Sequence, residues 1–93
     1  MMDKKHVNGE NRGEIVLFAL STCGWCKKTK RLLNELSIEY YYVDVDLLKG
    51  DEREKTLKEM ESFNPRRTFP TLVIDDKGIV GFKEERIKEV LGA

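Results

Sequence analysis

The chain carries no net charge and no long apolar run, and both absences narrow its function. Its 93 residues include 17 basic and 17 acidic side chains, and the lack of a basic excess argues against general binding to nucleic acid or to an anionic membrane. No apolar stretch approaches the roughly 18 residues of a membrane span, and the polar start MMDKKHVNGENRG lacks the apolar segment of a signal peptide. We therefore expect a cytoplasmic protein with neither nucleic acid nor membrane as a partner.

Cysteine and histidine are also scarce. The chain has two cysteines, Cys23 and Cys26, and one histidine, His6. Two cysteines in the reducing cytoplasm seldom form a structural disulfide, and these three side chains fall short of the four ligands of a structural zinc site. We expect no metal site and a solvated His6, so the cysteines need another explanation.

The length and composition predict one globular domain. Residues 1–13 hold one apolar side chain besides their two methionines, so we predict a disordered tail there and a folded domain over 14–93. A chain of this size buries roughly 60–65% of its unfolded surface, which is enough for a modest core.

The pattern of apolar residues predicts seven elements in the order β-α-β-α-β-β-α. Strands are predicted at 15–20, 39–45, 71–74 and 79–82, and helices at 24–36, 51–62 and 83–91. The unbroken apolar run IVLFAL is typical of a central strand buried on both faces. The first two strands should be parallel because a helix connects them, and the last two should form a hairpin around the turn residues at 75–78. We predict an α/β fold with a four-stranded mixed sheet covered by helices on both faces.

The sequence Cys23-Gly24-Trp25-Cys26 lies where the first strand joins the first helix. At a helix start, unpaired backbone N–H groups and the positive end of the dipole favour a thiolate at Cys23. Lys27 and Lys28 add positive potential, while Cys26 should be more enclosed. An exposed attacking thiol beside a resolving thiol is the arrangement for thiol–disulfide exchange.

Three other interpretations of the cysteine pair remain open beside redox exchange. A zinc site lacks ligands, and a haem attachment motif needs histidine at the position of Lys27. The third interpretation is that the cysteines are ordinary core residues, although their adjacency at a strand–helix junction favours redox chemistry. The CxxC spacing is a moderate signal alone and a strong one on a β-α-β pattern.

The segment Thr68-Phe69-Pro70-Thr71 precedes the third predicted strand. Proline cannot donate to a strand ladder, so it is expected at the start of a strand. A cis bond between Phe69 and Pro70 would leave the backbone N–H and C=O of Phe69 open to an extended substrate chain. An ordinary trans proline that opens a strand is the alternative.

These motifs, with Val80-Gly81-Phe82 at the end of the fourth predicted strand, together resemble the glutaredoxins of the thioredoxin superfamily. The resemblance covers about residues 14–92. It implies the thioredoxin fold with sheet order 2-1-3-4, a cis bond before Pro70, and a nucleophilic Cys23 resolved by Cys26.

The resemblance also implies a substrate groove beside the cysteines. Trp25 is expected to dock substrate, and the two arginines at 66–67 are either carboxylate-binding groups or solvated loop residues. Thr68, Phe69 and Pro70 are expected to form the wall of this groove. The full set of expected substrate-binding residues is Gly24, Trp25, Arg67, Thr68, Phe69, Pro70, Gly81 and Phe82.

Two departures from the family pattern bear on the partners. Gly24 and Trp25 replace the proline and tyrosine common between the cysteines of glutaredoxins, and Phe82 stands where glutathione-using members have a second glycine. The replacement of the second glycine by Phe82 predicts weaker glutathione binding. The Gly81-Phe82 pair looks more like the redoxins linked to ribonucleotide reductase, which are recharged by thioredoxin reductase.

We expect a monomeric oxidoreductase that reduces protein or glutathione-mixed disulfides and needs no metal or organic cofactor. Its electron donor would be glutathione or a reductase of the thioredoxin reductase type, with ribonucleotide reductase a candidate partner. The alternative is a glutaredoxin that binds or delivers a [2Fe–2S] cluster, held between two subunits by one cysteine from each and two glutathione thiols. The small Gly24 fits that alternative, and the weaker glutathione site argues against it.

Overall fold

A five-stranded mixed sheet forms the centre of the computed structural model, which describes residues 4–92. The strands are β1 (Lys5–Val7), β2 (Ile15–Ala19), β3 (Tyr40–Asp44), β4 (Thr71–Ile74) and β5 (Lys77–Val80). The helices are α1 (Gly24–Glu35), α2 (Gly50–Glu61) and α3 (Glu84–Leu91), and a 3-10 turn at Val45–Leu47 precedes α2. No helix in this part of the chain has both the length and the apolar character needed to cross a membrane.

The sheet order is β1-β3-β2-β4-β5. Strands β2 and β3 are parallel, whereas β4 is antiparallel to both β2 and β5. The four predicted strands, β2 to β5, therefore lie in the predicted order in the sheet. The first two are parallel and the last two form the predicted hairpin. The α/β fold and its thioredoxin-like arrangement are confirmed.

An additional strand, β1, corrects the prediction of a disordered tail over 1–13. It pairs antiparallel with β3, so that His6 lies opposite Tyr41, and the sheet has five strands rather than four. The Lys4 Nζ lies 2.9 Å from an oxygen of Glu59, and the His6 Nε2 lies 2.7 Å from an oxygen of Glu39. The contacts that order this segment join it to residues far along the chain, so the composition of residues 1–13 does not reveal them. Residues 1–3 lie outside the described residues.

Strand β2 is buried on both faces, as its apolar run predicts. Its side chains point alternately to two core layers. Ile15, Leu17 and Ala19 pack in the layer that α1 and α3 cover, whereas Val16 and Phe18 pack in the layer that includes Met60 of α2. The helices therefore lie on both faces of the sheet.

Three element boundaries differ from the sequence prediction, and the last of them bears on the site. Helix α2 begins at Gly50, one residue before the predicted start, with Lys49 at its N-cap. The β4–β5 hairpin turns in two residues, because Ile74 pairs directly with Lys77, and Gly78 therefore lies in β5. This pairing starts β5 two residues early and ends it at Val80, which leaves Phe82 in the loop before α3.

Helix α2 depends on Met60, its one buried residue. We predict that Met60→Ala lowers the free energy of unfolding by about 2–5 kcal/mol, because a buried methionine leaves a cavity that the sheet face cannot fill. Urea unfolding followed by circular dichroism measures the change. Lys55→Ala, an exposed control on the same helix, should stay within about 0.5 kcal/mol. Equal losses for the two variants would contradict this account of the packing.

Candidate active site

Cys23 and Cys26 lie at the junction between β2 and α1, beyond the carboxyl end of the buried strand. Cys23 is the N-cap of α1 in extended backbone conformation, and its Sγ accepts a hydrogen bond from the Cys26 N–H at 3.2 Å. A thiolate at this position faces the positive end of the helix dipole. Both cysteines are free thiols. Gly24 is the first residue of α1, and a Cβ added there would have none of the atoms of residues 4–92 within 4 Å apart from its own chain neighbours and the nearby backbone of its own helix.

The two thiols differ sharply in environment. Cys23 is half-buried, whereas Cys26 is 0% exposed. Burial raises the pKa of Cys26 to about 12, and the side-chain hydrogen bond with Cys23 contributes further. Cys26 therefore keeps its proton at neutral pH, and the more exposed Cys23 is the thiol suited to attack.

The turn before Cys23 is fixed by Asp46, a residue that the sequence analysis did not single out. The Ser21 N–H and hydroxyl donate to the two oxygens of the Asp46 carboxylate at 2.8 and 2.5 Å. These bonds hold the pKa of Asp46 below its usual value. Arg53 of α2 donates to the Asp46 carbonyl oxygen at 3.1 Å. The turn is thereby tied to α2, and no local pattern signals a contact across 25 residues.

A second loop, residues 64–71, is organised by the buried amide of Asn64. The Asn64 Nδ2 donates to the hydroxyl oxygen of Thr71 at 2.8 Å and to the carbonyl oxygen of Thr68 at 3.0 Å. The bond between Phe69 and Pro70 is cis, as the resemblance implied. Within residues 4–92, neither the N–H nor the C=O of Phe69 forms a hydrogen bond, so both remain open to a partner.

The start of α1, the loop before β4 and the loop between β5 and α3 line an open groove of about 230 Å³ beside the cysteines. Its lining residues are all apolar or glycine: Trp25, Phe69, Pro70, Gly81 and Phe82. The Trp25 side chain is 57% exposed and stacks on Phe82, with ring centroids 5.9 Å apart. Three other predicted substrate-binding residues, Gly24, Arg67 and Thr68, are not among the residues that line this groove.

Positive charge near the groove is arranged differently from the sequence prediction. The Lys28 Nζ lies 4.5 Å from the centre of the Trp25 ring, which is a cation–π contact, while Lys27 is exposed. The Arg67 guanidinium pairs with Glu61 at 2.6 Å, so the structure does not bring it into the groove. Arg66 is exposed, and its backbone N–H donates to the Asn64 side-chain oxygen at 3.2 Å. Sequence adjacency to Phe69 does not reveal the pairing of Arg67 with Glu61, and neither arginine is among the residues that line the groove.

Metal ligands are not gathered in this part of the molecule. Among residues 4–92, no group of three or more histidine, cysteine, aspartate or glutamate side chains is placed to hold a metal ion. His6 lies on β1, where it contacts Glu39 and the Tyr41 ring. The chemistry that the arrangement offers is that of the two thiols and the groove.

Comparisons with known proteins agree with this geometry. The glutaredoxin family model matches residues 15–79. An uncharacterized glutaredoxin-like 8.6 kDa protein of Clostridium pasteurianum is 35% identical, over 83% of this chain and 96% of that protein. Glutaredoxin 1 of Rickettsia conorii is 30% identical, over 72% of this chain but 63% of its own length.

Solved structures are similar over almost the entire chain. Methanoredoxin of Methanosarcina acetivorans is 49% identical, with a TM-score of 0.94 and 98% of both chains covered. The glutaredoxin from Methanosarcina mazei Go1 is 50% identical, with a TM-score of 0.91, covering 98% of this chain and 89% of that one. The described fold is therefore shared by experimental structures.

The difference between the thiols predicts selective alkylation. With limiting iodoacetamide at pH 8, Cys23 should be modified first, because a pKa of about 12 leaves a Cys26 thiolate fraction on the order of 10⁻⁴. Peptide mass spectrometry after brief labelling measures the order. In urea-unfolded protein the preference should disappear, which serves as the control. Faster modification of Cys26 in the folded protein would reverse the assignment of the two thiols.

Proposed function

Because the chain belongs to the glutaredoxin family, we propose that it reduces protein disulfides by a dithiol mechanism in which Cys23 attacks and Cys26 resolves. The family and the fold support a thiol–disulfide oxidoreductase. The observation that carries the dithiol mechanism is the unequal exposure of two adjacent thiols, one half-buried at a helix N-cap and one fully buried behind it.

In the first step, the Cys23 thiolate attacks one sulfur of the substrate disulfide. The substrate S–S bond breaks, its other sulfur leaves as a thiolate, and a mixed disulfide joins Cys23 to the substrate. The backbone N–H of Cys26, 3.2 Å from Cys23 Sγ, stabilises the attacking thiolate before this step.

In the second step, Cys26 loses its proton and attacks Cys23 Sγ. The bond between Cys23 and the substrate breaks, the substrate sulfur leaves with the electron pair and takes up a proton, and the Cys23–Cys26 disulfide forms. Two electrons have then passed from the dithiol to the substrate. The oxidised protein needs an external donor to return to the dithiol.

The apolar groove supports a protein substrate. The open N–H and C=O of Phe69 can pair with an extended chain, as an added strand does. The exposed Trp25 ring offers a large contact area for an apolar side chain next to the substrate disulfide. The substrate disulfide would thus be held beside Cys23 by backbone pairing on one side and apolar contact on the other.

The division of roles predicts opposite outcomes for two serine variants. Cys23→Ser should abolish reduction of insulin disulfides with dithiothreitol as donor, because no accessible thiolate remains. Cys26→Ser should accumulate a mixed disulfide with the substrate, because attack proceeds and resolution does not. Non-reducing electrophoresis and mass spectrometry detect that adduct. If the adduct forms on Cys26 in Cys23→Ser instead, the roles are exchanged.

The apolar lining of the groove also favours a protein reductase over glutathione as electron donor. Glutathione carries two carboxylates and an ammonium group, which need polar partners, whereas the five groove residues present aromatic rings, proline and glycine. The Trp25–Phe82 stack adds apolar surface of the kind that protein partners bury.

We predict that oxidised protein is re-reduced faster by NADPH with thioredoxin reductase than by glutathione. Trp25→Ala should slow the enzymatic reaction about 5- to 30-fold, the usual effect of removing a central aromatic contact, and leave reduction by dithiothreitol unchanged. Leu47→Ala is the matched control, since Leu47 is 61% exposed and does not line the groove. Faster re-reduction by glutathione would assign the donor to the other class.

A further inference from the structure

Lys30 lies on the same side of α1 as Cys26, one turn further along the helix. Residues four apart are neighbours on a helix surface, and the Lys30 side chain is only 23% exposed. Two groups of β3 hold its ammonium. The Asp44 carboxylate lies 3.2 Å from Lys30 Nζ, and the Tyr42 ring centre lies 4.2 Å from the same atom.

This placement differs from that of the other lysines of α1. Lys27 and Lys28 are exposed, and Lys28 contacts the exposed Trp25 ring. A long side chain in solvent samples many positions, and water screens its charge. Lys30 instead is confined between the helix and β3, where screening is weaker, so its charge acts from a defined position.

The groups that act on the Cys26 thiol can be named. Burial and Cys23 raise its pKa, whereas a backbone contact with Leu20 and the charge of Lys30 lower it. Cys23 raises the pKa both through its side-chain hydrogen bond and through its charge. When Cys23 is joined to substrate in the mixed disulfide, its charge is gone, whereas the smaller influence of the Lys30 charge, partly offset by the Asp44 carboxylate beside it, remains.

The resolving step is where such a charge matters, because Cys26 must become a thiolate inside the core. We propose that Lys30, fixed by Asp44 and Tyr42, is a positioning residue whose charge assists Cys26 in losing its proton when it attacks the mixed disulfide. The Cys26 proton passes by way of solvent to the departing substrate thiolate, and the ammonium keeps its own proton throughout. The inference rests on the proposed dithiol function and concerns its second step alone.

The two steps are separated with dithiobis(nitrobenzoate) as probe, at less than one molecule per reduced protein. Attack by Cys23 releases one coloured nitrothiobenzoate, and resolution by Cys26 releases the second. Stopped-flow absorbance therefore gives a rate for each step, and the pH dependence of the second rate reports deprotonation of Cys26.

Lys30→Gln should leave the first rate unchanged. In this variant the second rate should rise at a pH about half to one unit higher than in the original protein. Resolution at neutral pH should therefore be about 3- to 10-fold slower, as expected for the loss of one partly screened charge. Lys30→Arg should restore the profile of the original protein. Lys58→Gln, which removes an exposed lysine from α2, is the matched control and should change neither rate.

Asp44→Asn provides a test of opposite sign. Removing the carboxylate leaves Lys30 beside Tyr42 without a counter-charge, so the profile of the second rate should move to lower pH. If Lys30 and Asp44 served only to stabilise the structure, removing either one would displace the pH profile of the second rate in the same direction. The proposal is overturned if the pH profiles of the second rate move in the same direction in Lys30→Gln and Asp44→Asn, or if neither profile moves. The release of nitrothiobenzoate in two steps would still support the dithiol function in either case. Absence of the first release in the original protein would instead reject the proposed function itself.

Discussion

Strand β2 lies at the centre of the sheet with all five of its side chains buried, and this burial determines where the chemistry takes place. Because one set of its side chains faces α1 and α3 and the other faces α2, the strand cannot shift without disrupting both core layers. The chain leaves β2 at a fixed position, turns once, and starts α1 directly after its N-cap, Cys23. The N-terminus of α1, with its free N–H groups, therefore lies at the edge of the core.

Polar contacts over long sequence separations hold the two loops that complete the site. Asp46 fixes the turn before Cys23 through Ser21, and Asn64 fixes the loop that carries Phe69 and Pro70. Both residues bond with more than one partner, which restricts the loop more than a single hydrogen bond would. The loop that carries Phe69 and Pro70, which lines the groove, is therefore held by the fold, and the exposed Trp25 side chain lines the same groove.

The sequence predicts the central features well because each has a strong local signal. The apolar run of β2, the CxxC at its end and the four residues of β4 all follow from short patterns, and the cis bond before Pro70 follows from the family resemblance. Strand β1 escapes prediction because three residues carry no periodicity and gain their order from the edge of β3.

The polar residues of the site are harder to predict for a similar reason. Nothing in the neighbourhood of Asp46 indicates that it receives hydrogen bonds from Ser21, 25 residues earlier. Arg67 is the reverse case: its position next to the groove segment suggests a substrate contact, but the positive φ of 54° at that residue and its pairing with Glu61 direct it elsewhere. Local sequence identifies which loop is functional, and tertiary contacts decide which side chains of that loop face the groove.

Trp25 is the single tryptophan of the chain, and its position gives the protein an intrinsic optical signal. The indole lies between the two cysteines in sequence, contacts Phe82 on the groove wall and carries the Lys28 ammonium near its ring. Tryptophan fluorescence therefore arises from one place, so a change in this emission on closing the Cys23–Cys26 disulfide or docking a partner reports on the groove. The redox state of the protein becomes readable in solution without an attached dye.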